Sequence, residues 1–302
     1  MKHLLKLLDL SKDEIFEILE LADELKKKQK AGIEHHYLKG KSLGMIFQKS
    51  STRTRVSFEV GMYQLGGQAL FLSKNDLQIG RGEPVQDTAR TLSRFLDGIM
   101  IRTYGQDEVE NLAKYGSIPI INGLTDFAHP CQVLADLQTI REYKGGFDGR
   151  KLTFIGDGAN NMANSLIVGG LKAGMSVAIA TPDAYQPDKS VLDFAKAYGD
   201  KLLVTSDIAK AAKDADVLYT DVWASMGMEA EVEERNRAFK SFQINAEVMK
   251  YAKPDAIVQH CLPAKRGQEI TDEVIEAHAG EIFDEAENRL HAQKAVMVKL
   301  MA

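Results

Sequence analysis

Cysteine is scarce in this chain, because only Cys131 and Cys261 occur among its 302 residues. Two cysteines in a chain of this length indicate a reducing compartment and do not predict a disulfide. No segment approaches the roughly 20 apolar residues needed to cross a membrane, so no membrane partner is expected. Charge interrupts the N-terminal segment, which also lacks a small-residue cleavage site, so a secretory signal peptide is not expected. These absences together predict a cytoplasmic protein.

Positive charge is also in short supply, because 38 Lys and Arg residues face 43 Asp and Glu residues, for a net charge of −5. The one dense basic tract, Lys26-Lys27-Lys28, ends a predicted amphipathic helix, where cations suit the helix dipole. A nucleic-acid partner is therefore not expected. Hydrophobic and charged fractions of 44% and 27% are typical of a globular protein, and the length suits two domains.

Two glycine motifs that bind phosphates are missing or broken. The pattern G-x-x-x-x-G-K-[ST] is absent, which argues against an ATPase or kinase of that class. Gly156-Asp157-Gly158 lies where a dinucleotide fingerprint would begin, but Asn161 occupies its third glycine position. A nicotinamide-dependent dehydrogenase stays open as an alternative, with Asp183 after the next predicted strand as a further argument for it. We expect no cofactor.

Short apolar runs alternate with helical periodicity along both halves of the chain. This alternation predicts an α/β protein of two domains, each a mainly parallel sheet flanked by helices. The first half has predicted strands at residues 43–47, 69–72, 98–102 and 119–122. The second half has them at 152–155, 177–180, 202–204, 217–220, 256–260 and 282–284. The boundary near residues 144–150 gives domains at 1–143 and 150–285, followed by a C-terminal helix at 288–302.

The same periodicity places the helices. Ser11 and Glu14 form a capping-box pattern ahead of a one-faced helix. Further helices are predicted near residues 54–65, 84–95, 107–115 and 130–143. Polar clusters follow several of the predicted strands, and ligands bind beyond the carboxyl ends of strands in sheets of this type. The sequence therefore predicts one active site, in the cleft between the two domains.

Hydroxyl and guanidinium groups crowd the helix start that follows the first strand, in the run Ser51-Thr52-Arg53-Thr54-Arg55. That end of a helix offers unpaired backbone N–H groups and the positive pole of the helix dipole, which together form an anion site. Ser and Thr are also ordinary helix caps. Two arginines in a first turn oppose the dipole preference, however, so a bound phosphate is the better interpretation.

Two other strand ends in the first half carry polar residues. Arg102 ends an apolar strand, where an unpaired charge is costly, and it predicts either an ion pair or a second contact to the same anion. His129 precedes Pro130, a good first residue of a helix, and Gln132 lies in that helix's first turn. Histidine can polarise a carbonyl, and a glutamine amide can donate and accept. From spacing alone, a capping His129 and a solvent-facing Gln132 fit slightly better.

The loop from Asp221 to Gly227 follows a predicted strand of the second half and reads D-V-W-A-S-M-G. The Asp221 carboxylate and the Ser225 hydroxyl suit an ammonium group, and Met226 and Gly227 leave backbone N–H groups for a carboxylate. An Asp-initiated turn is the structural alternative, and Trp223 equally suits packing.

The segment His260-Cys261-Leu262-Pro263 ends the next strand of that half. Adjacent residues of an extended strand point to opposite faces, so His260 is not expected to activate Cys261 as a nucleophile. Cys261 otherwise fits a small buried hydrophobe. No second Cys or His lies at ligand spacing, so we expect no zinc or other metal site.

Four motifs in the same order make the chain resemble the aspartate/ornithine carbamoyltransferase family over essentially its full length. The family's S-T-R-T-R and H-P-x-Q patterns match residues 51–55 and 129–132, and its D-x-x-x-S-M-G and H-C-L-P patterns match residues 221–227 and 260–263. The last two patterns distinguish the ornithine enzymes from the aspartate enzymes. Relatives acting on acetylated or succinylated ornithine, or on putrescine, differ in the S-M-G loop, although putrescine stays the nearest alternative substrate.

The resemblance implies carbamoyl transfer from carbamoyl phosphate to the δ-amine of L-ornithine, giving L-citrulline and phosphate. It implies a carbamoyl-phosphate-binding first domain, an ornithine-binding second domain, and a homotrimer whose active sites lie at subunit boundaries. The implied phosphate ligands are Ser51, Thr52, Arg53, Thr54 and Arg102. The implied catalytic residues are Arg102, His129 and Cys261, with Arg102, Thr54 and His129 on the carbonyl oxygen.

The remaining matches complete the implied site. On the carbamoyl phosphate side, Gln132 would face the carbamoyl amine, and a neighbouring subunit would donate Gln78. Cys261 and the Leu262 carbonyl would orient the δ-amine. Arg289 matches an arginine on the C-terminal helix that returns to the first domain. On the ornithine side, Asn161 and Met226 match residues that bind the carboxylate, and Asp221 and Ser225 match residues that bind the α-amino group. Cys131, where threonine is commoner, is a departure that affects only local packing.

The implied chemistry is direct attack by an uncharged amine on a polarised carbonyl. The sequence shows no dedicated general base, so the phosphate itself is the hypothetical proton acceptor. A protein that binds an amino acid without catalysis is a further alternative, but it leaves the arginine-rich turn without a purpose.

Overall fold

The computed structural model describes residues 1–225 and 227–302. The chain divides into two compact units, one formed by Met1–Ala135 with Asn288–Ala302 and the other by Asp136–Glu287. Each unit contains a parallel sheet flanked by helices, so the predicted fold class is confirmed. Across the described residues, no helix is both long enough and apolar enough to cross a membrane.

The first unit is built on a four-stranded sheet of order β2-β1-β3-β4, with every pair parallel. All four predicted strands of this half are present. The order changes direction between β1 and β3, which makes the carboxyl ends of these two strands a topological switch point. The strands are β1 Ser42–Phe47, β2 Gln68–Ser73, β3 Gly98–Arg102 and β4 Ile120–Leu124, and the helices are α1 Lys12–Lys30, α2 Thr52–Gln64, α3 Val85–Leu92, α4 Gln106–Tyr115 and the start of α5 Pro130–Lys144.

Burial in this unit follows the arrangement of layers. β3 is buried along its whole length because helices cover a parallel sheet on both faces. The predicted capping box of α1 is confirmed, since the Glu14 backbone N–H donates to Ser11 Oγ at 3.0 Å and the Ser11 N–H donates to Glu14 Oε2 at 2.8 Å. The packed sheet and helices fix the ends of β1 and β3, and therefore the positions at which the chain leaves these two strands.

The second unit repeats the plan with a five-stranded parallel sheet of order β7-β6-β5-β8-β9. Its switch point lies between β5 and β8. The strands are β5 Lys151–Ile155, β6 Ser176–Ala180, β7 Leu202–Thr205, β8 Val217–Thr220 and β9 Ile257–His260, and the helices are α6 Asn161–Ala173, α7 Lys189–Ala195, α8 Ile208–Ala212, α9 Val232–Phe239, α10 Ala246–Met249, α11 Asp272–Ala277 and the start of α12 Ala279–Met301. From Asn288 onward, α12 belongs to the first unit.

The strand predicted at residues 282–284 is wrong, because these residues lie inside α12. This helix begins at Ala279, earlier than the predicted start at 288. Ile282, Glu285 and Arg289 are buried while Phe283 is 55% exposed, which is the three-and-four spacing of a helix face. A short apolar run does not distinguish a strand from a buried helical turn.

Candidate functional site

The start of α2 is a capped helix N-terminus directly after β1. The Thr54 backbone N–H donates to Ser51 Oγ at 3.2 Å, so the capping role considered for the serine is confirmed. A capped helix N-terminus still has first-turn backbone N–H groups without an acceptor inside the helix, and these groups point away from the helix toward a possible ligand. Thr52 is exposed, Arg53 is half-buried and Thr54 is buried, so the hydroxyl and guanidinium groups of this turn extend from the surface into the interior.

Arg102 is the last residue of β3, on the strand next to β1. It pairs with Phe47 in the β1–β3 register, and its carbonyl accepts a hydrogen bond from the Gln48 N–H at 2.8 Å. The β3–β4 register shifts between Ile101 and Arg102, an irregularity of the kind that redirects a side chain. The side chain is only 7% exposed. The sheet therefore holds a buried cation at the end where α2 begins.

His129 lies in the field of three guanidinium groups. Burial lowers the pKa of His129 well below its ordinary value, and the positive charges of Arg289, Arg102 and Arg53 lower this pKa further. The imidazole is therefore neutral at neutral pH and donates a single N–H. Two of these arginines come from separate sequence motifs and the third from α12. Clustered cations of this kind suit a multiply charged anion such as phosphate.

Arg289 joins the C-terminal helix to two predicted site residues. Its Nη1 donates to Gln132 Oε1 at 2.7 Å, and its Nη2 donates to Thr54 Oγ1 at 3.1 Å. The slight preference for a solvent-facing Gln132 is wrong, because the side chain is 1% exposed. Gln78 is exposed on the single-turn helix Gln78–Arg81, which follows the edge strand β2.

Sequence reasoning missed two polar residues of this cluster, Ser57 and Gln293. Gln293 contacts Arg289 and Ser57, and Ser57 contacts the backbone of Arg53. The signal that would have found Gln293 is its spacing of four residues from Arg289, which places both on one helix face.

In the second unit, Asp221 follows β8 and is buried. Its Oδ1 accepts from the Val222 N–H at 2.8 Å, and its Oδ2 accepts from Asn160 Nδ2 at 3.5 Å. Burial raises the pKa of Asp221, while the nearby His260 and a hydrogen bond from the Cys261 thiol oppose that rise. A buried carboxyl group with this balance binds a cation strongly, because an ammonium ion restores its charged form.

The loop segments around Asp221 are placed by neighbouring elements. Asn161 begins α6, and Asn160 caps this helix by accepting from the Ala163 N–H at 2.8 Å. Ser225 is half-buried, and its carbonyl accepts from the Met228 N–H at 3.1 Å. Met226 lies outside the described residues. In this same loop Trp223 packs on Phe239 with ring centroids 6.4 Å apart, and both rings belong to the apolar core of the second unit, which supports the packing interpretation of Trp223.

The expectation that His260 and Cys261 point to opposite faces is wrong. A ligand atom of Asp221, one of His260 and the Cys261 Sγ all lie within 4.8 Å of one another. The alternation fails because β9 ends at His260, and the backbone beyond it turns, with Leu262 at a φ of 54°. Residues beyond a strand end do not follow its period of two.

The hydrogen bonds of His260 and Cys261 determine whether the cluster of Asp221, His260 and Cys261 can bind a metal or supply a nucleophile. His260 Nδ1 accepts from the Leu262 N–H at 2.9 Å, and its Nε2 bonds to Glu269 Oε1 at 3.1 Å, so both ring nitrogens are engaged and no imidazole lone pair is offered to a metal. Burial, and then the nearby Asp221, raise the pKa of Cys261 well above its ordinary value. The thiol therefore stays protonated and donates to Asp221, which argues against a thiolate nucleophile.

Leu262 has an unusual backbone for a branched residue. Its φ of 54° lies in the left-handed region, and its N–H is fixed by His260. Such a conformation is sparsely populated and persists where the surroundings impose it, often at a ligand site. Because the Leu262 N–H is already hydrogen-bonded, the carbonyl is the backbone group of Leu262 that can contact a ligand.

The glycine-rich loop after β5 is filled by the protein itself. A Cβ on Gly158 would lie 2.6 Å from the Tyr185 carbonyl oxygen, and the Gly158 N–H donates to Thr181 Oγ1 at 2.9 Å. Asp157 accepts from Arg235 Nη1 at 2.6 Å, and its pKa is raised by burial against that pairing. These contacts weigh against the dehydrogenase alternative, because internal partners occupy the loop that would face a dinucleotide.

Two family descriptions match the chain in consecutive ranges. Residues 2–142 match "Aspartate/ornithine carbamoyltransferase, carbamoyl-P binding domain", and residues 148–300 match "Aspartate/ornithine carbamoyltransferase, Asp/Orn binding domain". Together the two ranges cover nearly the whole sequence.

Individual proteins agree with these matches. The chain is 57% identical over 305 residues to the ornithine carbamoyltransferase of Oceanobacillus iheyensis, covering 100% of this chain and 94% of the relative. It is 57% identical over 300 residues to that of Methanosarcina mazei, covering 99% of both. The solved ornithine carbamoyltransferase from Pyrococcus furiosus superposes with a TM-score of 0.94 at 53% identity, over 99% of this chain and 97% of that one.

Proposed function

We propose, since the chain belongs to the aspartate/ornithine carbamoyltransferase family, that it transfers the carbamoyl group of carbamoyl phosphate to the δ-amine of L-ornithine. The products are L-citrulline and phosphate. The observation that carries the proposal is that Arg289 donates to Gln132 Oε1 at 2.7 Å and to Thr54 Oγ1 at 3.1 Å, which joins the start of α5 to the start of α2. The names of the relatives support ornithine as the amine substrate.

The start of α2 is the proposed phosphate cradle. Ser51, Thr52, Arg53 and Thr54 supply hydroxyl, guanidinium and first-turn N–H donors, and Arg102 adds a buried positive charge. Negative charge on the phosphate grows as its bond to the carbonyl carbon breaks. Fixed cations at that position stabilise the transition state more than the bound substrate, which is the condition for catalysis.

The carbonyl oxygen is the second place where charge develops. Arg102, Thr54 and the neutral His129 are the proposed donors to it, and one preorganised donor of this kind contributes about 2–4 kcal/mol in comparable oxyanion sites. Gln132 Oε1 already accepts from Arg289, and a carbonyl oxygen has two lone pairs. In the proposal Gln132 faces the carbamoyl amine, and a contact to that amine fixes the substrate's orientation.

The proposed ornithine site lies after β5 and β8. Asp221 and Ser225 bind the α-amino group, and Asn161 with Met226 binds the carboxylate. The buried Asp221, whose pKa is raised, gains its charged form when the ammonium ion arrives. We propose a carbamoyl-phosphate-binding domain at 1–143, with the helix at 288–302, and an ornithine-binding domain at 150–285. The transfer requires the two substrates to meet.

The δ-amine attacks in its uncharged form, and desolvation beside Cys261 and the Leu262 carbonyl lowers its pKa. We therefore expect the Cys261→Ser variant to shift the rise of kcat with pH toward higher pH, because a hydroxyl is better hydrated and the bound amine then stays protonated longer. A pH profile of kcat reports groups of the substrate complex. The measurement is kcat for citrulline formation from pH 6 to 10.

The matched control for this shift is Cys131→Ser, the other cysteine of the chain. Cys131 is buried against the Asn122 carbonyl, with its pKa raised to about 12 by burial, and a hydroxyl keeps that hydrogen bond. Its profile is expected to overlay the parent's. Overlay of the Cys261→Ser profile as well would contradict a role for Cys261 in selecting the neutral amine.

A homotrimer with shared active sites is part of the proposal. The support from the first unit is an exposed apolar face on α2, with side chains at helical spacing, next to the exposed apolar side chains of the edge strand β2. Faces of this kind mark protein contacts, and an open strand edge needs covering. The exposed residues are Val56, Val60 and Tyr63 on α2 and Leu70 and Phe71 on β2.

The experiment that tests the proposed function is a colorimetric citrulline assay. Purified protein receives carbamoyl phosphate with L-ornithine, putrescine or N-acetylornithine in parallel. We expect product with ornithine at a kcat/KM at least about a hundredfold above that for putrescine, because putrescine has an amino group for Asp221 but lacks the carboxylate that Asn161 and Met226 are proposed to bind. Faster turnover of putrescine or N-acetylornithine would contradict ornithine as the substrate. Tight NAD binding without carbamoyl transfer would instead support the dehydrogenase alternative. The proposal includes a cytoplasmic location and no cofactor.

A further inference from the structure

Gln293 on α12 uses both ends of its side-chain amide. Its Oε1 accepts from Arg289 Nε at 2.9 Å, and its Nε2 donates to Ser57 Oγ at 2.7 Å. Ser57 Oγ in turn donates to the Arg53 carbonyl oxygen at 2.5 Å. Gln293 is fully buried. Three hydrogen bonds therefore join the guanidinium group of Arg289 to the backbone of the first turn of α2.

The contact at Arg289 Nε controls where the rest of the guanidinium group points. The group is planar, and its Nη1 and Nη2 donate to Gln132 and Thr54. A fixed acceptor at Nε sets the plane, and the plane sets the directions of the other two donors. The amide of Gln293 thus acts on Gln132 and Thr54 through Arg289.

The contact at Ser57 acts on the other end of the same site. Ser57 has one hydroxyl hydrogen, which it donates to the Arg53 carbonyl, and its lone pair accepts from Gln293. This arrangement ties the backbone that carries Arg53 to α12. A single buried amide is therefore linked to both the carbamoyl and the phosphate ends of the proposed substrate position.

We infer that Gln293 is a positioning residue for carbamoyl phosphate, which orients Gln132 and Thr54 through Arg289 and fixes Arg53 through Ser57. The inference rests on the proposed function, in which Gln132, Thr54, Arg289 and Arg53 are carbamoyl phosphate ligands. Gln293 touches the ligand-binding residues, and its effect on the substrate is indirect.

Two substitutions separate the donor and acceptor roles of this amide. In Gln293→Leu, a side chain of similar size leaves Arg289 Nε and Ser57 Oγ without their amide partner in a buried place. In Gln293→Glu, the carboxylate still accepts from Arg289 Nε, and the charge pairs with the guanidinium group. A structural packing role would treat these variants in the opposite order, because leucine suits a buried position better than glutamate.

The test is steady-state kinetics of the full-length protein with each substrate varied in turn. Gln293→Leu is expected to raise the KM for carbamoyl phosphate about tenfold, equivalent to about 1.4 kcal/mol, with the KM for ornithine within about twofold of the parent. Gln293→Glu is expected to stay within about threefold of the parent for both. Ser57→Ala, which keeps the Gln293–Arg289 contact, is expected to raise the KM for carbamoyl phosphate about threefold and supplies the test if Gln293→Leu does not fold.

The results that would overturn the inference are distinct from failure of the proposed function. A folded Gln293→Leu with a parental KM for carbamoyl phosphate, an equal rise of both KM values, or a larger loss in Gln293→Glu than in Gln293→Leu would each overturn it. If the parent itself makes no citrulline, the proposed function fails. Calorimetric binding of inorganic phosphate then decides the inference, which an unchanged Kd in both Gln293→Leu and Ser57→Ala would overturn.

Discussion

Replacing Arg102 by glutamine is expected to lower kcat/KM for citrulline formation about a hundredfold or more while the protein stays folded. Arg102 is buried at the end of β3, and its charge is one of three that act on His129. As the amine attacks, the carbonyl oxygen becomes negatively charged, and a fixed cation stabilises that state more than the neutral carbonyl. Glutamine keeps an N–H donor but removes the charge. Steady-state citrulline formation measures the loss.

Stability distinguishes this loss from misfolding. Arg102 lies among the like charges of Arg53 and Arg289, so removing its charge relieves repulsion, and the Tm is expected to equal or exceed the parent's. The matched control is Arg90→Gln on α3, where an exposed arginine pairs with Asp87 at 3.4 Å. Exposed pairs contribute little, so turnover within about twofold of the parent is expected there. Near-parental turnover by a folded Arg102→Gln protein would contradict the proposed role.

Local chemistry explains the parts of this molecule that could be predicted from sequence. Residues 51–55 contain both the helix cap and the two arginines within one helical turn, and Ser51 caps the helix as expected. Arg102 was found because a charge at the end of an apolar run is costly without a partner. Pro130 marks the start of α5 for a similarly local reason. Each of these signals is contained in a few neighbouring residues.

The rest depends on contacts between residues far apart in sequence. Arg289 reaches Thr54 and Gln132 only because α12 is packed in the first unit, and no local pattern states that pairing. The turn after β9 brings His260 and Cys261 beside Asp221, whereas strand alternation predicts that they point apart. The start of α12 was misjudged because Ile282 and Phe283 fit a strand as well as a helix. Tertiary packing decides all three cases.

Mixing two inactive variants, Arg102→Gln and Gln78→Ala, is expected to restore about a quarter of the parental citrulline-forming activity once subunits exchange. In the proposed trimer each site uses its own Arg102 and a neighbour's Gln78. Random reassembly of an equal mixture therefore gives about one site in four with both residues intact. Each variant alone is expected to lose about a hundredfold, and the measurement is citrulline formation after mild urea dissociation and dilution of the mixture.

The controls separate exchange from other sources of activity. Each variant taken alone through the same dissociation, and the two variants mixed without it, are expected to stay inactive. Light scattering after size exclusion verifies that trimers have reformed. Reformed mixed trimers without recovered activity would contradict donation of Gln78 by a neighbour.

The placement of Gln78 explains why this experiment is sharper than loss of activity alone. Its side chain is exposed on the turn that follows the edge strand β2, and Tyr63 of the exposed apolar face is 81% exposed. In the proposed trimer a neighbouring subunit covers this face, and closed symmetry gives every site the same borrowed residue. If Gln78 instead served its own chain, a mixed trimer would contain only sites that lack either Arg102 or Gln78. Recovery of activity therefore depends on the residue crossing the subunit boundary.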